Sequence, residues 1–124
     1  MASNEEDKLQ STLESISPKP NVHLKLLSIF LTQFETDAQQ LERSVTDMDH
    51  SNIFQTAHKL KSALKIFDQE MYDHVSLLEK YGSEKESCEL IKTVYSNFSD
   101  QVKCKIPVLQ KAKDQLETEL NLKH

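Results

Sequence analysis

Residues 21–48 read Asn21-Val22-His23-Leu24-Lys25-Leu26-Leu27-Ser28-Ile29-Phe30-Leu31-Thr32-Gln33-Phe34-Glu35-Thr36-Asp37-Ala38-Gln39-Gln40-Leu41-Glu42-Arg43-Ser44-Val45-Thr46-Asp47-Met48. The apolar positions Leu24, Leu27, Phe30, Leu31, Phe34, Ala38, Leu41, Val45 and Met48 are spaced by three and four, apart from the adjacent Phe30 and Leu31. That spacing puts them on one face of an α-helix about seven turns long. No strand periodicity competes with it. So long an apolar stripe cannot face water alone and requires partner helices of the same kind.

The rest of the chain supplies those partners. Ile53, Phe54, Ala57, Leu60, Leu64 and Phe67 form the buried stripe of a helix capped by Asp49 or Ser51. Asp68-Gln69-Glu70 reads as a short corner, after which Met71, Val75, Leu78 and Tyr81 mark another helix. Gly82, the one glycine of the chain, stands where a helix C-terminus takes a positive φ. A last helix opens near Ser83 or Glu84 and carries Cys88, Ile91, Val94 or Tyr95, Phe98, Val102, Ile106, Leu109, Leu116 and Leu120 inward. Pro107 predicts a kink or break in it near Lys103–Pro107, since proline removes a helical hydrogen bond. Upstream, Leu9, Leu13 and Ile16 predict a short amphipathic helix, stopped by Ser17-Pro18-Lys19-Pro20; Asn21 is the expected cap of the long helix. The fold class is therefore all-α: an antiparallel up-down four-helix bundle over residues 21–122, with a polar N-terminal segment, 1–20, that adds a short extra helix, and a kinked last helix.

Composition narrows the function. The chain has 124 residues, a single-domain length, and a formal net charge of −5. An acidic chain speaks against nucleic-acid binding and against attachment to an anionic membrane. No apolar run approaches the roughly 20 residues a membrane span needs, and the acidic start Met1-Ala2-Ser3-Asn4-Glu5-Glu6-Asp7 has no apolar leader core. Cys88 and Cys104, 16 residues apart on one expected helix, would sit about 24 Å apart and cannot pair. They are expected to be small apolar fillers and free thiols, which suits the cytoplasm. One glycine cannot build a phosphate-binding loop, so no nucleotide site is expected. No His/Cys cluster has zinc-like spacing, and the inward Glu and Glu-x-x-His pairs of a metal-storage bundle are missing.

The chemistry concentrates in Ala57-His58-Lys59-Leu60-Lys61-Ser62-Ala63-Leu64-Lys65. On a helix Ala57, Leu60 and Leu64 face inward, while His58, Lys61, Ser62 and Lys65 share the opposite face at i, i+3, i+4 and i+7. Imidazole ordinarily titrates at about pH 6.5, which makes it a nucleophile near neutral pH. Phosphoryl transfer needs in-line geometry and neutralised oxygens, which Lys61, one turn along, is placed to supply. Lys65 can do the same or steer an acidic partner, and the small Ser62 lets that partner come close. A solvated helix face would also show a histidine among lysines, and the spacing alone does not separate the two. His23, His50, His74 and His124 are expected at the surface or in caps.

The segment Ala57-His58-Lys59-Leu60-Lys61-Ser62-Ala63 resembles the active-site helix of histidine-containing phosphotransfer (HPt) domains of two-component phosphorelays, whose pattern is roughly Ala-His-x-Leu-Lys-Gly-Ser. Leu26-Leu27-Ser28-Ile29-Phe30-Leu31 and Leu77-Leu78-Glu79 are similar to that family's flanking helices, so the resemblance covers about residues 8–100. It implies a phosphocarrier, not an enzyme, with His58 as phosphoryl acceptor, Lys61 as phosphoryl support, and Lys59, Ser62 and Lys65 at the docking surface. The implied partners are response-regulator receiver domains or a hybrid sensor kinase; no cofactor belongs to this chain, and Mg²⁺ would sit on the receiver. A monomer is expected. Two departures stand out: Ser62 occupies the family's usual glycine position, and Asp68 stands where many members have glycine. The alternative is a non-catalytic helical interaction module built on the same scaffold.

Overall fold

The computed structural model describes residues 4–122; the surface role expected of His124 lies outside them. Five helices follow in order: α1 (Asn4–Ile16), α2 (Pro20–Thr46), α3 (His50–Phe67), α4 (Gln69–Glu84) and α5 (Cys88–Leu122). The described residues contain no strand, and none of these helices is long and apolar enough to cross a membrane. The chain divides into two compact units. One takes the residues up to Thr32 together with those from Lys103 onward, and the other is Gln33–Val102.

The Gln33–Val102 unit is a bundle of four helical segments: the second half of α2, all of α3 and α4, and the first half of α5. Phe34, Leu41 and Val45 from α2, Ile53, Ala57, Leu60 and Leu64 from α3, Met71, Val75 and Leu78 from α4, and Ile91, Val94 and Phe98 from α5 are buried together. Phe34 meets Phe98 with ring centroids 6.3 Å apart and planes tilted by 50°. Burial of such side chains, each contributing roughly 1.5–3 kcal/mol, is the main term that favours the bundle.

The connections are built differently from those read in the sequence. Asp49 caps α3 by accepting from the Asn52 N–H at 3.2 Å. Met48 enters that corner with φ 50, in the left-handed region, and is only half-buried. The expected three-residue corner Asp68-Gln69-Glu70 is one residue. Asp68 closes α3 by donating its N–H to the Leu64 carbonyl at 2.8 Å, and caps α4 by accepting from the Met71 N–H at 2.9 Å. A glycine at 68 would lose the carboxylate that does the second job.

Gly82 does not end α4. It is buried inside the helix, and Lys85 takes the left-handed position instead, at φ 54 and ψ 47. The Lys85 N–H reaches the Gly82 carbonyl at 3.3 Å and the Glu86 N–H the Tyr81 carbonyl at 2.9 Å. His50 donates from Nε2 to the Glu86 carbonyl at 2.9 Å and so ties the α4–α5 turn to the start of α3. Ser83 and Glu84, where the sequence suggested that α5 begins, are the last residues of α4; α5 starts at Cys88 instead, with the Leu90 N–H 3.4 Å from Ser87 Oγ. Gly82 serves close packing: a Cβ there would lie 2.8 Å from the His50 carbonyl oxygen and from the Phe54 nitrogen, both backbone atoms of α3.

Some stripe assignments change as well. Phe54 is exposed and Phe67 half-buried, while Thr56 is fully buried. Both Cys88 and Cys104 are exposed free thiols and not apolar fillers. His50 and His74 are half-buried, and His74 Nδ1 lies 3.0 Å from Gln101 Oε1.

In the other unit, Leu9 and Leu13 of α1, Leu27 and Phe30 of α2 and Leu109 of α5 are buried, whereas Ile16 is exposed. Pro20, not Asn21, opens α2; its fixed φ suits the first helical position, and Lys19 precedes it, accepting from the Val22 and His23 N–H groups. His23, expected at the surface, is 3% exposed and donates from Nε2 to the Ser17 carbonyl at 2.5 Å, closing the α1–α2 corner. Of the kink or break expected near Pro107, the break is absent: α5 continues through it.

This packing has two consequences for stability. Gly82→Ala should cost about 1–3 kcal/mol in urea unfolding, because backbone must move to admit the methyl group. The Thr56 hydroxyl is buried without a hydrogen-bond partner among the described residues. Thr56→Val should therefore leave the unfolding midpoint unchanged or raise it, and a clear fall would reveal a partner for that hydroxyl.

Candidate functional site

The hairpin of α3 and α4 is antiparallel and turns at the single residue Asp68. His58 lies ten residues before that corner and Glu79 eleven after it, so the two face each other across the helix pair. Lys61, one turn beyond His58, falls on the same side. The result is a three-residue cluster centred on one carboxylate. His58 Nδ1 is 2.6 Å from Glu79 Oε2, and Lys61 Nζ donates to Glu79 Oε1 at 2.8 Å. Each carboxylate oxygen thus has one partner.

Exposure grades the three. The His58 side chain is 65% exposed, Lys61 28% and Glu79 17%. Partial burial alone would raise the Glu79 pKa. The hydrogen bonds from Lys61 and His58 outweigh it, and the carboxyl is held below its ordinary range. Lys61 is raised in return, because its hydrogen bond to Glu79 stabilises the ammonium more than its desolvation disfavours it.

The ionised carboxylate decides the state of the imidazole. A carboxylate only accepts, so Nδ1 must carry the proton it shares with Oε2. In the neutral ring the lone pair is then on Nε2, the nitrogen turned away from Glu79. The ring also stacks against Phe54, one turn earlier on α3, with centroids 6.3 Å apart and planes 24° from parallel. Lys59, Ser62 and Lys65 follow His58 on α3, and all three are exposed. Lys65 lies in the last turn of α3, where a cation is favoured by the helix dipole.

Two residues beside His58 escape a reading of the sequence for site residues. Glu79 is visible there only as part of a family-like Leu77-Leu78-Glu79 run, and Phe54 has the spacing of a core residue. The cross-helix register that brings Glu79 to His58 follows only once the corner is known to be one residue long. Among the described residues, no group of three or more His, Cys, Asp or Glu side chains could hold a metal ion.

The family model for the Hpt domain matches residues 25–121. The chain belongs to the Hpt domain family. Hpt domains are phosphocarriers that work with receiver domains and kinases in phosphorelays. Searches of curated proteins and of solved structures found no match.

The direction of the Glu79 shift gives a pH prediction. A carboxyl whose folded pKa is depressed contributes stability that is fully present above its unfolded value, about 4.3, and is lost as pH falls through its lower folded value. Glu79→Gln should remove that part of the acid-unfolding limb, measured by circular dichroism from about pH 5 down to about pH 2. An unchanged limb would mean that the pairs with His58 and Lys61 do not persist in solution.

Proposed function

We propose that the protein carries a phosphoryl group on His58 Nε2, accepting it from an aspartyl phosphate on one receiver domain and delivering it to the aspartate of another. One observation carries this reading: Glu79 engages Nδ1 at 2.6 Å and leaves the other nitrogen of a largely exposed ring open to a partner.

The chemistry balances with these groups. The Nε2 lone pair forms the new N–P bond as the donor's acyl O–P bond breaks, and the electrons of that bond leave on the donor carboxylate. No proton need move. The ring becomes a cation that keeps its Nδ1 proton, and the Glu79 carboxylate beside it compensates the charge. Lys61 stands beside the ring on the same carboxylate and can turn its ammonium to the equatorial oxygens of the phosphoryl group. Mg²⁺ on the receiver would supply the remaining charge neutralisation. The return step reverses these bonds. Lys59, Ser62 and Lys65 form the docking surface, where basic residues on an acidic protein suit an acidic phosphorylation site. The protein acts as a monomer, and two exposed free thiols suit a reducing cytoplasm.

The test is labelling by a phosphorylated receiver domain. Wild-type protein should gain base-stable, acid-labile phosphate, and His58→Gln should gain none while keeping its helical circular dichroism. Label persisting in that variant would assign the acceptor elsewhere. Lys61→Ala should slow transfer about ten- to hundredfold, the range of one charge-assisted hydrogen bond, with receiver binding unchanged. Parallel loss of binding and rate would make Lys61 a docking contact only.

A further inference from the structure

His58 is held from two directions by groups of different chemistry. Glu79 takes Nδ1 by a hydrogen bond, and the Phe54 ring stacks beside the imidazole with centroids 6.3 Å apart. We propose that Phe54 is a positioning residue for phosphoryl transfer: its stack on the imidazole sets the plane of the ring, so that Nε2 faces the incoming phosphorus. The proposal rests on the reading of His58 as acceptor.

A single contact at Nδ1 fixes one atom of the ring and allows the plane to pivot about it. In-line attack has a narrow angular tolerance, so that pivot costs rate. A second contact on the ring face removes it. The near-parallel planes at 6.3 Å form an offset stack, a favoured geometry for two aromatic rings.

Phe54 is also anchored where such a contact needs it. Its backbone lies close against α4: a Cβ on Gly82 would meet the Phe54 nitrogen at 2.8 Å and its Cα at 3.2 Å. Glu79 sits one turn before Gly82 on the same helix. Both restraints on the imidazole are therefore referenced to α4. The core does not require the phenyl group, because Ile53, Ala57, Leu60 and Leu64 already fill the inward face of α3. Phe54 instead remains 39% exposed beside His58, where an apolar side chain gains little from burial.

A small phosphodonor separates positioning from docking. Phosphoramidate has no docking surface. In that reaction the Nε2 lone pair forms the N–P bond as the P–N bond of the N-protonated donor breaks, and neutral ammonia leaves with the electron pair. Labelling of full-length protein by phosphoramidate, with His58→Gln as background, would be followed for wild type, Phe54→Leu and Phe54→Tyr. Phe54→Leu should label about two- to tenfold more slowly, the range expected for one aromatic contact, with its circular dichroism and unfolding midpoint near wild type. Phe54→Tyr, which restores a ring, should label at the wild-type rate. In ¹H–¹³C spectra the ring protons of His58 should lose their ring-current shift in Phe54→Leu and keep it in Phe54→Tyr.

A wild-type rate in Phe54→Leu would overturn the proposal, and so would failure of Phe54→Tyr to restore the rate. Slowing confined to a receiver-domain donor would overturn it as well, making Phe54 a docking contact. Absence of label on His58 in the wild-type protein would sink the acceptor reading itself and this inference with it.

Discussion

The approach of α4 to the first turn of α3 sets the geometry on which the site depends. At Gly82 the two helices come so close that even a methyl group would strike backbone atoms of His50 and Phe54. Side chains elsewhere along the pair can adjust to a neighbour, but backbone against backbone cannot. With Asp68 capping one end of the hairpin and this contact near the other, the register between α3 and α4 has little room to slip. Glu79 and His58 meet because of that register, and a shift of one residue would turn the carboxylate away from the imidazole.

Within that frame the site works by division of labour across one carboxylate. Glu79 is sheltered enough to remain ordered yet ionised, because two donors compensate its partial burial. It holds Lys61 close to the ring and defines which imidazole nitrogen is protonated. On the role proposed for His58, the same charge that orders the resting site would offset the cation of the phosphorylated ring. An ammonium alone beside the histidine would neutralise phosphate but leave the ring free to rotate and either nitrogen open to protonation.

The placement of this chain in the Hpt domain family and the local chemistry support one another without being the same evidence. The family match spans most of the chain and speaks to its role in phosphorelays. The cluster around His58 speaks to how this particular chain holds an exposed imidazole, with the carboxylate and the phenyl ring at its flanks. Ser62 is exposed one turn beyond His58, so the position that departs from the family pattern lies beside the imidazole.

The amino-acid sequence by itself determined that the protein is helical and which faces are buried. Spacings of three and four are a local property, and the stripes Leu27–Val45, Leu60–Leu64 and Met71–Leu78 lie inward as that spacing requires. It also placed His58 and Lys61 on one outward face, since both sit on a single helix. The tertiary structure alone decided the rest. Glu79 joins His58 through a cross-helix register, and Gly82 is explained by Phe54, a neighbour 28 residues away in the chain. Phe54 has the spacing of a core residue but is exposed beside His58. Helical periodicity is set by hydrogen bonds four residues apart and can be read along the chain. Which side chains meet across two helices depends on corner length and backbone clearance, and those arise only when the helices pack.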